Sequence, residues 1–173
     1  MLPGCVVRGK KNPLHFGLPK RLREARRRAG ITSKRLAALA EIAHDTVYLV
    51  ERDERVPGID IVEKLALALA VTPGWLAFGE DGPLRSNIAA SAPSVAQRLH
   101  LARTRLGMSR KALGRESQTS DTAVRQTEEL RTMPSVATIE RFAKALGVSP
   151  GWLAFGVSIE CSAAAKNDIV TDR

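Results

Sequence analysis

The sequence predicts an all-α chain: two tandem five-helix domains joined by a linker. Three observations lead there. Val71-Thr72-Pro73-Gly74-Trp75-Leu76-Ala77-Phe78-Gly79 is nearly repeated as Val148-Ser149-Pro150-Gly151-Trp152-Leu153-Ala154-Phe155-Gly156. The offset, 77 residues from Trp75 to Trp152, carries back without a gap to Arg21-Leu22 over Arg98-Leu99. It lays Arg26 on Arg103, Gly30 on Gly107, Lys34 on Lys111, Glu51 on Glu128, Pro57 on Pro134 and Glu63 on Glu140. An ungapped register of that length reports duplication of one domain. Finally, alanine and leucine dominate the apolar runs and aromatics are only 4%, a mixture that favours helices over sheets.

The copies are expected at residues 17–79 and 94–156. A Gly-, Pro- and Ser-rich linker covers 80–93. The ends, a basic tail at 1–16 and a tail at 157–173, have no counterpart in the repeat and are expected to lack order.

Within each copy the helices follow from local chemistry. Helix one is expected over 18–29 and 95–106, opened in the second copy by the capping-box pattern Ser94-x-x-Gln97. It is closed by Gly30 and Gly107 in the left-handed conformation. Helix two follows the N-caps Thr32 and Ser109. Helix three spans 44–52 and 121–129, before Pro57 and Pro134 break the chain. Helix four covers 59–70 and 136–146, where Val136, Ile139, Phe142, Ala143 and Leu146 form one apolar stripe. Helix five starts at Thr72-Pro73 and Ser149-Pro150, a cap followed by proline in the first turn. Helices this short must pack on one another to persist in water.

Charge and composition narrow the function. The formal net charge is +9 and the sequence pI about 10.3, which suits a polyanionic partner. Cys5 and Cys161 show no metal-ligand spacing and imply no disulfide framework. His15, His44 and His100 are scattered, so no metal and no cofactor are expected. No Ser-His-Asp set, carboxylate pair or phosphate-cradling glycine loop stands at a usable spacing, and no enzyme is expected. No apolar run is long enough for a signal peptide or a membrane span. A cytoplasmic, nucleoid-associated place is therefore expected, with no membrane partner.

Ile31-Thr32-Ser33-Lys34-Arg35-Leu36-Ala37 and Met108-Ser109-Arg110-Lys111-Ala112-Leu113, together with Arg26 and Glu51 and with Arg103 and Glu128, carry a resemblance. Over about 18–79 and 95–156 the chain resembles the phage-repressor and Cro-like helix-turn-helix family. The resemblance implies double-stranded DNA as partner and operator occupancy as mechanism, as in a bacterial or phage-type transcriptional regulator. It implies that Arg26–Glu51 and Arg103–Glu128 are structural ion pairs tying helix one to helix three. It places helix three in the major groove. The groove-facing positions are then His44, Asp45, Thr46, Tyr48 and Leu49 in the first copy, and Asp121, Thr122, Ala123, Arg125 and Gln126 in the second. Phosphate contacts fall to Ser33, Lys34, Arg110, Lys111 and Ser120.

The chain departs from the pattern in places. Glu41 and Gln118 stand where the turn glycine is expected. Ala43 is a poor N-cap for the first helix three. Leu49 occupies a position where polar base readers are common, and Asp45 and Asp121 bring negative charge toward DNA. Gln126 suits adenine and Arg125 guanine or a phosphate, so the second copy is expected to read more sequence than the first.

Two features stay open on the sequence. The run Lys20–Arg28 is either a phosphate-contacting face, with an arm at Arg8, Lys10 and Lys11, or a solvated helix surface. Trp75, Leu76, Phe78, Trp152, Leu153 and Phe155 read first as core. As an interface they would imply a homodimer or an intrachain pseudo-dimer. The rival functions are a protein-interaction module, an antitoxin or adaptor with a protein partner, and a nonspecific architectural DNA binder.

Overall fold

The computed structural model describes residues 13–80 and 93–156. A 3₁₀ turn, Leu14–Gly17, leads into α1 (Leu18–Arg28), α2 (Ser33–Leu39), α3 (His44–Glu51), α4 (Ile59–Ala68) and α5 (Pro73–Phe78). The second copy repeats them as α6 (Val95–Arg105), α7 (Arg110–Glu116), α8 (Asp121–Glu128), α9 (Val136–Leu146) and α10 (Pro150–Phe155). All ten match the helices expected from the repeat. Among the described residues no helix is long and apolar enough to cross a membrane. The expected linker beyond Glu80 and before Pro93, the C-terminal tail, the arm at Arg8, Lys10 and Lys11, and both cysteines lie outside the described residues.

The caps work as local chemistry dictates. Thr32, Thr72, Ser109, Ser120, Ser135 and Ser149 each accept, with their side-chain oxygens, the backbone N–H three residues on. Ser94 and Gln97 close a full capping box. Gly30 and Gly107 hold φ of 66° and 63°. Glu41 and Gln118 take φ of 51° and 55° in the turn between the second and third helices. The left-handed turn is thus kept without glycine, at a cost of about 1–2 kcal/mol each.

Each core is a bundle around helix four. Leu22, Leu36, Val47, Val50, Val62, Leu65 and Leu76 are buried in the first copy, and Leu99, Leu113, Val124, Ile139, Phe142 and Leu153 in the second. Trp75 and Trp152 are half-buried against these cores.

The copies pack on each other through α5 and α10, with the Phe78 and Phe155 rings 6.3 Å apart. A short antiparallel bridge joins Gly58 and Ser135. Ile59 N donates to Pro134 O and Val136 N to Pro57 O, both at 3.1 Å. Those two bonds exchange under the repeat offset, so the contact is isologous: each copy offers the other the same surface. The interface reading of helix five and its core reading therefore both apply, to different side chains of one helix.

Two further contacts join the copies. Ser149 Oγ and Gly151 N donate to Glu80 Oε2 at 2.8 and 2.9 Å, so an acid following α5 caps α10. Where the sequence reading expects a tail without order, the 3₁₀ turn instead docks on the second copy. Leu14 N donates to Glu140 Oε1 at 2.7 Å, and His15 Nδ1 lies 2.5 Å from Glu140 Oε2.

Candidate nucleic-acid interface

Burial decides which face each third helix offers. Val47 and Val50 point α3 into its core, and Val124 and Thr127 do the same for α8. The positions beside them on the helical wheel are left outside. His44, Asp45 and Tyr48 are exposed on α3, and Asp121, Thr122 and Arg125 on α8. Thr46, Leu49, Ala123 and Gln126 are half-buried along the same faces. Lys34 and Lys111 are exposed near the start of α2 and α7.

The geometry gives several of these residues local partners. Ser33 Oγ lies 3.3 Å from His44 Nε2, which joins the starts of α2 and α3. Asp45 is almost fully exposed, with its carboxylate 3.8 Å from His44 Nδ1. Asp45 and Asp121 sit in the first turns of their helices, where negative charge favours the macrodipole. Tyr48 Oη accepts from Arg52 Nη1 at 2.9 Å, and the Arg52 guanidinium stands 5.3 Å over the Tyr48 ring. Just after α8, Glu129 pairs with Arg131 at 2.8 Å. Ser120 Oγ accepts from Ala123 N at 3.0 Å and so acts as the N-cap of α8. Ala43 makes no such bond for α3. Ala43→Ser is expected to raise stability by about 1 kcal/mol, read as a higher urea midpoint.

Ion pairs tie the first helix of each copy to the third. Arg26 Nε donates to Glu51 Oε1 at 2.6 Å and Arg26 Nη2 to Glu51 Oε2 at 3.0 Å. Arg103 Nε donates to Glu128 Oε1 at 2.7 Å. The third guanidinium nitrogen of each arginine reaches the carbonyl of the following turn, Ile31 O or Met108 O. The second network is larger and drier. Arg110 Nε also donates to Glu128 Oε2 at 2.6 Å, and the Glu128 side chain is only 3% exposed. Burial works against the Glu128 charge, but the hydrogen bonds and charges of Arg103 and Arg110 outweigh it, and its carboxyl sits below the ordinary range. Arg110, a phosphate candidate on the sequence, is thus engaged within the fold by its Nε.

Close packing sets the angle between α7 and α8. Gly114 stands where the first copy has Ala37. A Cβ on Gly114 would lie 2.9 Å from the Asp121 backbone nitrogen and 3.1 Å from the Ser120 carbonyl carbon. A larger residue there would push the third helix off the second.

The basic run Lys20–Arg28 is not one uniform charged face. Arg21 Nε and Nη2 donate to Leu76 O and Ala77 O at 2.9 and 2.6 Å. Arg98 repeats this with Leu153 O and Ala154 O at 2.9 and 2.5 Å. These two arginines staple the carbonyl end of helix five to helix one, where a cation suits the dipole. Burial pulls both guanidinium groups below their ordinary value. The signal was present in the sequence as an arginine repeated at the offset within an otherwise variable basic run. Arg23, Arg27 and Arg28 remain on the solvent side.

The family model described as helix-turn-helix matches twice, over residues 22–76 and 99–153. A solved structure titled as the P22 c2 repressor protein in complex with a synthetic operator is 29% identical. It covers 38% of this chain and 98% of its own, at a TM-score of 0.36. No curated protein matches the chain. Because the family model takes in both copies and more than half of the residues, the chain belongs to the helix-turn-helix family, whose fold it carries twice.

Proposed function

We propose that the chain is a sequence-specific regulator that occupies an operator with both copies at once, as a single-chain pseudo-dimer. The observation that carries this reading is the isologous contact between the copies, Ile59 to Pro134 and Val136 to Pro57. In this reading the two-fold contact presents the two recognition helices as a repressor dimer would, to half-sites about 34 Å apart. The faces of α3 and α8 differ in sequence, so the operator is asymmetric rather than palindromic. Arg125 and Gln126 read guanine and adenine edges in one half-site. His44, Thr46, Tyr48 and Leu49 face the other, and Asp45 accepts from cytosine N4 there. Ser33, Lys34, Lys111, Ser120 and Arg110, through nitrogens not spent on Glu128, hold the phosphates.

Selection of bound DNA from a random duplex library, with the full chain at moderate salt, tests this reading. The expected product is two unlike motifs at fixed spacing. Enrichment without any motif, together with affinity that falls steeply with salt, would instead describe an architectural binder. No enrichment would favour a protein partner.

A further inference from the structure

We propose that the outer face of α6 is a docking groove for an acidic amphipathic helix of a partner protein. The inference shares one side chain, Arg110, with the DNA reading, so a phosphate and the partner's carboxylate would compete for it. The duplication supplies its own control, because the same fold carries the same face twice with different chemistry. In the first copy the face is charged: Lys20, Arg23 and Glu24 on α1, and Asp53 in the turn after α3. Glu24 pairs there with Arg28. At the equivalent positions the second copy has Gln97, His100, Leu101 and Leu130.

Leu101 and Leu130 are 44% and 52% exposed. With Ala96 they line an open groove of about 570 Å³. The fold does not need leucine at these positions, since the first copy is built without it. Leu101 and Leu130 thus line one groove at positions where the first copy carries carboxylates.

Charge indicates what fits. Glu128, at the base of the groove, is buried and neutralised by Arg103 and Arg110. The groove's exposed ionisable groups are Arg110 and His100, neither of them acidic. A partner that places apolar residues at helical spacing between Leu101 and Leu130, with carboxylates facing Arg110 and His100, complements both features.

The test uses a displayed library of helical peptides, roughly 16 residues or about four turns long, selected on the full chain. Enriched peptides are expected to carry an apolar stripe flanked by Asp or Glu. Their affinity should fall at least about tenfold on the Leu101→Glu, Leu130→Asp variant, which installs the first copy's own residues. Glu24→Leu should leave it unchanged. If that variant fails to melt like the parent, Leu101→Gln with Leu130→Asn replaces it. The proposal is overturned if no such peptides emerge or if they bind the variant as well as the parent. It is equally overturned if binding appears only after Leu84→Ser and Ile88→Ser, which would make the chain's own linker the occupant. Self-association of the parent that the double variant abolishes would make it a second copy.

Discussion

Glu128→Ala is expected to destabilise the protein by about 3–5 kcal/mol, the range for breaking a buried ion pair by removing one partner. Glu128 accepts from Arg103 and Arg110, and Arg103 is itself 8% exposed. Without the carboxylate, the Arg103 cation keeps Met108 O and loses its counter-charge. The melting temperature should drop by the order of 10 °C. Glu51→Ala should cost less, because the Arg26–Glu51 pair has one arginine fewer and is wetter, at 17% and 11% exposure. Replacing Arg103 and Glu128 together by methionine should restore part of the loss, since no buried charge is then orphaned.

The same network sets an acid sensitivity. The Glu128 carboxyl titrates below its ordinary range in the folded protein. Its stabilising contribution is therefore complete above the ordinary carboxylate range and is lost as pH falls through the lower, folded value. Glu128→Gln should lose this component, leaving a flatter decline of melting temperature with acid than the parent shows.

The second large effect is on DNA. Arg125→Ala and Gln126→Ala are each expected to weaken operator binding by about 10–100-fold, because a bidentate base contact is worth about 1–3 kcal/mol. Each should relax sequence preference at one position of one half-site and leave the other half-site unchanged. Lys34→Ala and Lys111→Ala should behave differently. They should weaken binding to all sequences alike and lower the slope of log affinity against log salt by about one each. Filter binding on the selected operator and on single-base variants, over a salt series, separates the two patterns. Uniform weakening by Arg125→Ala would move that residue from the bases to the backbone.

The helices were legible in the sequence because their signals are local. Ser94-x-x-Gln97, Thr72-Pro73 and the glycines at 30 and 107 each act within one turn. The duplication was legible because it needs only self-comparison. The contacts that organise the interface were harder to read. Arg21 and Arg98 look like surface charge in a basic helix, and their partners are carbonyls more than fifty residues on that carry no side-chain signature. The Gly58–Ser135 bridge is made by backbone alone, so composition cannot announce it. The Glu140 bonds to Leu14 and His15 lie in a segment outside the repeat, where self-comparison is silent. On α3 the spacing of Tyr48 and Arg52 fits a helical pair, but Glu54, which also draws on Arg52 at 2.5 Å, follows a non-helical turn.

One chain is expected to span two half-sites. Hydroxyl-radical footprinting of the selected operator, joined to a stoichiometric titration, tests it most directly. One chain per duplex is expected, with two protected patches about 34 Å apart, of which Arg125→Ala and Gln126→Ala fade only one. A single protected patch per chain, or two chains needed to fill the site, would contradict it.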